Sequence, residues 1–210
     1  MANFYQDLTP TEISRRLAHS HVLATDSPYP PGFLITPPRL AAVLIPLINH
    51  GNQWHVLFIR RAAGINDPHG GQVAFPGGAK DPDDADLRST ALRETLEEIG
   101  LRPDRVNILG QLRDFVTITN YQVTPFVGVI PWPYPIVLAQ DEVSRVFTIP
   151  LDWLSDPQNY EERARRLPPP FNSIHVIYFK PYDGETLWGA SARFTTELTD
   201  LLSNDEPRGN

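Results

Sequence analysis

The chain contains no cysteine among its 210 residues, which excludes disulfides, thiolate nucleophiles and zinc–sulfur centres. It also lacks any uninterrupted apolar run near the about 18 residues that read as a membrane-crossing helix. Its first residues, MANFYQDLTPTEISRRL, lack the basic flank and apolar centre of a secretion signal, so a cytoplasmic location is expected. Positive charge is in deficit, with 18 Lys and Arg against 25 Asp and Glu and a formal net charge of −7. That balance argues against nucleic acid or an anionic membrane as a partner. An anionic small molecule would need a cation as intermediary. Long helices are also disfavoured by 22 prolines, about twice the usual share, which imply many fixed turns and strand ends.

Against these absences, 41% apolar and 20% charged residues describe a globular chain with enough length for one substantial core. We read an N-terminal helix and proline-rich lead-in over 1–39, one domain over 40–203 and a polar tail over 204–210 that frays. The helix is signalled by TPTEISRRLA, where Thr9 caps, Pro10 suits the first turn and Glu12 completes a capping box. AAVLIPLI (41–48) and WHVLFIRR (54–61), separated by NHGNQ, read as a β-hairpin or neighbouring strands. QVAF (72–75) reads as a short strand stopped by a Pro76-Gly77-Gly78 turn. VNILGQL (106–112), YQVTPFVGVIP (121–131), SRVFTIPL (144–151) and SIHVIYFK (173–180) supply further strands, and 190–202 a closing helix. The mixture predicts an α/β sandwich, with no internal repeat.

The segment GGQVAFPGGAKDPDDADLRSTALRETLEEIGL (70–101) concentrates acidic residues in its second half. From Asp81 the pattern turns helical: Asp81 caps, and Asp83, Asp84 and Asp86 lie near the positive end of the helix dipole. Leu87, Ala91, Leu92, Leu96 and Ile99 give an apolar stripe, and Gly100 a stop. Glu94, Glu97 and Glu98 fall at i, i+3 and i+4, which predicts three carboxylates on one surface. Arg93 can pair with Glu97, and it is the one cation at hand. The remaining negative charge suits a hard divalent cation, Mg²⁺ or Mn²⁺, that bridges to substrate phosphates.

Phe75-Pro76-Gly77-Gly78 followed at fixed offsets by Arg93, Glu94, Glu97, Glu98 and Gly100 resembles the signature of the Nudix hydrolases, G-x5-E-x7-R-E-U-x-E-E-x-G-U, where U is aliphatic. Three departures stand out. The spacer from Gly78 to Arg93 is one residue longer, Thr95 takes an aliphatic place, and the early glutamate is missing, with Asp84 and Asp86 its nearest acidic substitutes. FPGGAKDPDDADLRSTALRETLEEIGL resembles the coenzyme A pyrophosphatase branch, longer spacer and threonine included. The likeness extends through AAVLIPLI, YQVTPFVGVIP, DEVSRVFTIPL and LWGASARF, roughly residues 40 to 200. In that branch's upstream motif, however, Asp67 stands here in place of the second arginine.

The resemblance implies an α/β/α sandwich around a mixed β-sheet and metal-dependent hydrolysis of a pyrophosphate bond in coenzyme A or a CoA thioester. Two alternatives stay open: another nucleoside diphosphate derivative (nucleotide sugar, dinucleotide or triphosphate), or a catalytically silent nucleotide-binding module. The implied metal ligands are Glu94, Glu97 and Glu98 with the Gly78 carbonyl, and Arg93 orients a glutamate. The base is one of these glutamates, Asp141, Glu142, His69 or His175. Arg60 and Arg61, with Phe75 and Gly77 beside them, are the candidate substrate-binding residues. The partner expected is a small-molecule diphosphate, CoA-like or nucleotide, and a homodimer is left open.

Overall fold

A computed structural model of the chain describes residues 5, 7–18, 28–30, 32–34, 36–63 and 70–203. The expected polar tail at 204–210 and the candidate base His69 lie outside these residues, as does Asp67. No described helix is long and apolar enough to cross a membrane.

Local signals set the first elements. Helix α1 (Pro10–Leu17) starts where its code placed it, with Thr9 Oγ1 accepting the Glu12 amide at 3.2 Å. Strands β1 (Arg39–His50) and β2 (Gln53–Arg61) form an antiparallel hairpin with His50 opposite Gln53. Gly51 and Asn52 between them both take positive φ, 60° and 62°, as the twist-matched two-residue turn requires.

The hairpin sits inside a mixed eight-stranded sheet. β1 pairs in parallel with β7 (Tyr121–Val129), from Arg39↔Tyr121 to Leu47↔Val129. β3 (Val73–Ala74) and β8 (Val143–Pro150) flank β2, while β5 (Asn107–Gln111) and β6 (Phe115–Val116) flank β7. Alternation along β1 divides the core. Ala41, Ile45 and Leu47 pack with Ile13 and Leu17 of α1 and with Phe194 and Leu198 of α4 (Gly189–Ser203). Ala42, Leu44 and Ile48 pack with Ala91 and Ile99 of α2 (Leu87–Ile99). A sheet buried on both faces between helices is the expected α/β/α sandwich.

Three expectations are corrected. Gly77 and Gly78 do not form a turn; with Ala79 they are strand β4, antiparallel to β1 with Gly78 opposite Ala42. Only glycine fits there, since a Cβ on Gly77 would come 2.3 Å from the Ala42 carbonyl oxygen. Helix α2 begins not at Asp81 but five residues later, capped by Asp86, which accepts the Ser89 amide at 2.7 Å. Asp81 instead closes a tight turn by accepting the Asp83 amide at 3.1 Å. The apolar stripe is also rotated: Leu96 is exposed, and the buried face runs through Thr90, Ala91, Thr95, Glu98 and Ile99.

β9 (Tyr160–Arg166) had no sequence signal because its residues are charged on both faces and mostly exposed. It pairs with β10 (Ser173–Phe179) in a separate two-stranded ribbon, linked to β8 through the single-turn helix α3 (Leu151–Leu154). The described parts of the lead-in carry no helix or strand before Arg39, and Tyr29 stacks on Phe33 with ring centroids 5.3 Å apart.

Candidate active site

Glu98 is the most deeply placed of the three α2 glutamates, its side chain 2% exposed and accepting the Gly77 amide at 2.9 Å. Burial raises its pKa to about 8, reinforced by the charges of Glu94 and Glu142 and opposed by the Gly77 amide and Arg61. Glu94 lies against the same strand. A Cβ on Gly78 would come 2.5–2.6 Å from the Glu94 carboxyl atoms, so the missing side chain is what lets this carboxylate approach β4. Its pKa is likewise raised, first by burial, with Arg93 pulling it down and Glu97 and Glu142 adding to the rise.

Glu97 departs from the expected cluster. It is 54% exposed and held by Arg93 Nη1 at 2.9 Å. One residue before Glu98 on the helix, it is turned by about 100° away from β4. The convergence is therefore of two carboxylates with a third outside, and no group of three metal-ligating side chains is gathered among the described residues. Nor is Arg93 the one cation: Arg61 Nη1 stands 3.8 Å from Glu98.

Arg93 organises the helix end. Its Nε and Nη2 donate to the two oxygens of Asp84, each at 2.9 Å, and its Nη1 donates to Glu94 and Glu97. Asp84 is buried and also accepts from the Asp81 amide and Thr90 Oγ1. The guanidinium holds the Asp84 carboxyl well below the usual carboxylate range, and Asp84 raises Arg93 in return. Of the two acidic residues after the glycines, Asp84 pairs with the arginine and Asp86 caps the helix.

A cavity of about 580 Å³ opens on the other side of this arrangement, lined by Arg61, Gly77, Gly78 and Ala79. Glu94 and Glu98 do not line it; they lie on the same glycine strand that does. Its far wall comes from the β9–β10 ribbon and the start of α4, including Arg165, His175, Trp188 and Arg193. Tyr29, Phe115 and Tyr121 complete an aromatic lining.

The NUDIX domain model matches residues 37–170. The Nudix hydrolase NudL of Salmonella paratyphi B, described as uncharacterized, is 39% identical over 162 residues, covering 76% of this chain and 81% of its own. NudL of Salmonella newport matches to the same extent. Among solved structures, a MutT/nudix family protein from Enterococcus faecalis superposes with a TM-score of 0.50 at 16% identity, over 93% of this chain and 70% of its own. The chain belongs to the Nudix hydrolase family. It is thus a hydrolase of phosphoanhydride bonds, and Nudix hydrolases generally work with a divalent metal such as Mg²⁺ or Mn²⁺.

Other residues singled out in this Nudix chain divide between site and scaffold. Gly77, Gly78 and Arg61 border the cavity. Arg60, the adjacent residue on β2, does not line the cavity and joins Glu185 at 3.4 Å, which also takes Arg145 at 3.0 Å. Phe75 is 3% exposed and stacks on Phe58 at 4.8 Å, so it is core rather than substrate wall. Glu142 is exposed at the start of β8, where its backbone carbonyl accepts the Ala62 amide at 2.7 Å. Asp141 beside it is exposed. Arg165, Arg193, Trp188 and Tyr29 carried no spacing that would have announced them; only tertiary packing unites them.

Proposed function

We propose that this Nudix hydrolase cleaves the pyrophosphate bond of coenzyme A or a CoA thioester. The observation that carries the reading is the cavity beside β4. It is lined by Arg61, Arg165, Arg193 and His175, and by no carboxylate among the described residues, although the chain as a whole is acidic. Such a lining favours an extended polyanion with aromatic parts. The likeness of FPGGAKDPDDADLRSTALRETLEEIGL to the coenzyme A branch narrows that class.

The carboxylates fit a divalent ion. Burial and neighbouring carboxylates raise the proton affinity of Glu98 and Glu94, and a bound dication relieves both effects. In this reading Glu94 and Glu98, with the Gly78 carbonyl, would hold the ion, and Glu97 stands by at the outer edge. When bound, it neutralises the phosphates and acidifies a water. The chain's own groups do the rest. The Gly77 amide and Arg61 fix the Glu98 carboxyl, Arg93 locked on Asp84 fixes Glu94, and Arg61 reaches the cavity to steady a phosphate. Glu142, whose charge is felt by both buried glutamates, is the candidate base at the open side.

Asp67 at the place of the motif's second arginine favours a second reading, hydrolysis of another nucleoside diphosphate derivative. Both are tested by a panel of coenzyme A, acyl-CoA, nucleotide sugars, dinucleotides and triphosphates with Mg²⁺ and Mn²⁺, followed by product masses. Coenzyme A split into adenosine 3′,5′-bisphosphate and phosphopantetheine supports the first. Turnover confined to the other substrates overturns it in favour of the second.

A further inference from the structure

The family match ends at residue 170, yet the cavity continues past it. Its far wall is built from β10 and the first residues of α4, joined to the arginine-rich strand β9. On one face of the ribbon, Tyr178 and Trp188 stack with ring centroids 5.5 Å apart and planes 2° from parallel. Arg163 stands 4.7 Å over the Tyr178 ring and Arg165 5.8 Å over the Trp188 ring. The two cations differ in their neighbours. Arg163 is spent on Glu161 at 2.6 Å, whereas Arg165 sits opposite the apolar Ile174 and lines the cavity. Tyr29, across the cavity, feels the Arg165 charge. Arg193, over the Phe115 ring at 5.3 Å, adds a second cation to this end, with Glu197 facing it.

The cavity therefore has two cationic ends. One is Arg61 beside Gly77, where the anhydride belongs; the other is the Arg165 and Trp188 end of the ribbon. We infer that Arg165, steadied on Trp188, is a specificity-determining residue that binds a second phosphate, a phosphomonoester on the nucleoside remote from the bond that is cut. This inference rests on the proposed hydrolysis of a nucleoside diphosphate derivative and names the feature that would select among such substrates. Arginine supplies two parallel donors to a phosphate, and the aromatic ring beneath it fixes the plane of the fork.

The test is calorimetric titration of the full chain with adenosine 5′-monophosphate and with adenosine 3′,5′-bisphosphate, in EDTA at moderate salt. A charge-assisted contact predicts that the bisphosphate binds about tenfold tighter or more. Arg165→Ala should reduce that preference to under about threefold while leaving Tm unchanged, because Arg165 is exposed. Arg165→Lys, which keeps the charge without the fork, should restore part of it. Equal affinity of the two probes in the wild type, or an undiminished preference in Arg165→Ala, overturns the inference. Neither probe contains an anhydride, so this outcome is independent of whether the panel above detects hydrolysis.

Discussion

The two ends of the cavity are built on different principles. Behind the β4 wall, charged groups are held in place: Glu98 on the Gly77 amide, Arg93 on Asp84, Glu94 against a glycine that leaves it room. At the ribbon end, Arg163 and Arg165 are exposed side chains lying on aromatic rings, in a segment whose second strand lies beyond the Nudix match. On the proposed reading, the first arrangement fixes the groups that take part in bond-breaking, which demands precise placement. The second tolerates adjustment and suits selection of a substrate's distal part. On the proposed reading, chemistry and choice of substrate fall to separate elements, so that each can be altered without the other.

Substitutions should respect that division. The largest effect is expected from Glu98→Gln, which keeps shape but removes the charge: kcat should fall by about 10³-fold or more, with circular dichroism unchanged. Gly78→Ala follows. The three atoms nearest its Cβ all belong to the Glu94 carboxyl, a side-chain end rather than backbone, so the fold should survive while displacement of that carboxylate lowers kcat by about 10- to 100-fold. Gly77→Ala makes the contrast, since its Cβ meets backbone and the loss should appear as reduced Tm. Arg61→Glu should raise KM by about tenfold through reversed charge at the phosphate end, as Michaelis kinetics on the panel's best substrate would reveal. The smallest effect belongs to Arg60→Ala, which loses a half-exposed ion pair: KM within about twofold and stability down by at most about 1 kcal/mol. A large KM change there would erase the distinction drawn between neighbouring arginines.

Stability should carry the same imprint. Glu98 has its folded-state pKa raised from 4.5 to about 8, so its contribution favours the folded protein while protonated. In EDTA, Tm should therefore decline as pH rises through that window, and Glu98→Gln should flatten the decline. Asp84, shifted downward by Arg93, acts in the opposite sense and only at acid pH, where its protonation removes the ion pair.

Features set by neighbours in sequence were legible in advance: the Thr9 cap, the β1–β2 hairpin and the Gly100 stop, which takes φ 70°. The motif's glycines and glutamates were found, but their division of labour was not. On paper Asp81, followed by Pro82, is the cap, and only the path of the turn makes Asp86 the cap and Asp84 the partner of Arg93. Periodicity put Glu97 with the other glutamates, whereas the contact of α2 with β4 admits Glu94 and Glu98 alone. Arg60 and Arg61 look interchangeable in a string, yet Arg60 pairs with Glu185 while Arg61 stands by Glu98 and borders the cavity. The ribbon end was invisible because β9 has no apolar alternation and its aromatic partners, Tyr178 and Trp188, meet it only once the ribbon has paired.

The central claim is that the buried Glu98 carboxyl gives up a proton to receive a divalent ion. Calorimetric Mn²⁺ titration at pH 7, repeated in buffers of different ionisation enthalpy, counts that proton directly. The account predicts release of the greater part of one proton per ion bound in the wild type, and at least about tenfold weaker binding with no such release in Glu98→Gln. Equal affinity in the two proteins, with no proton released by either, would contradict it.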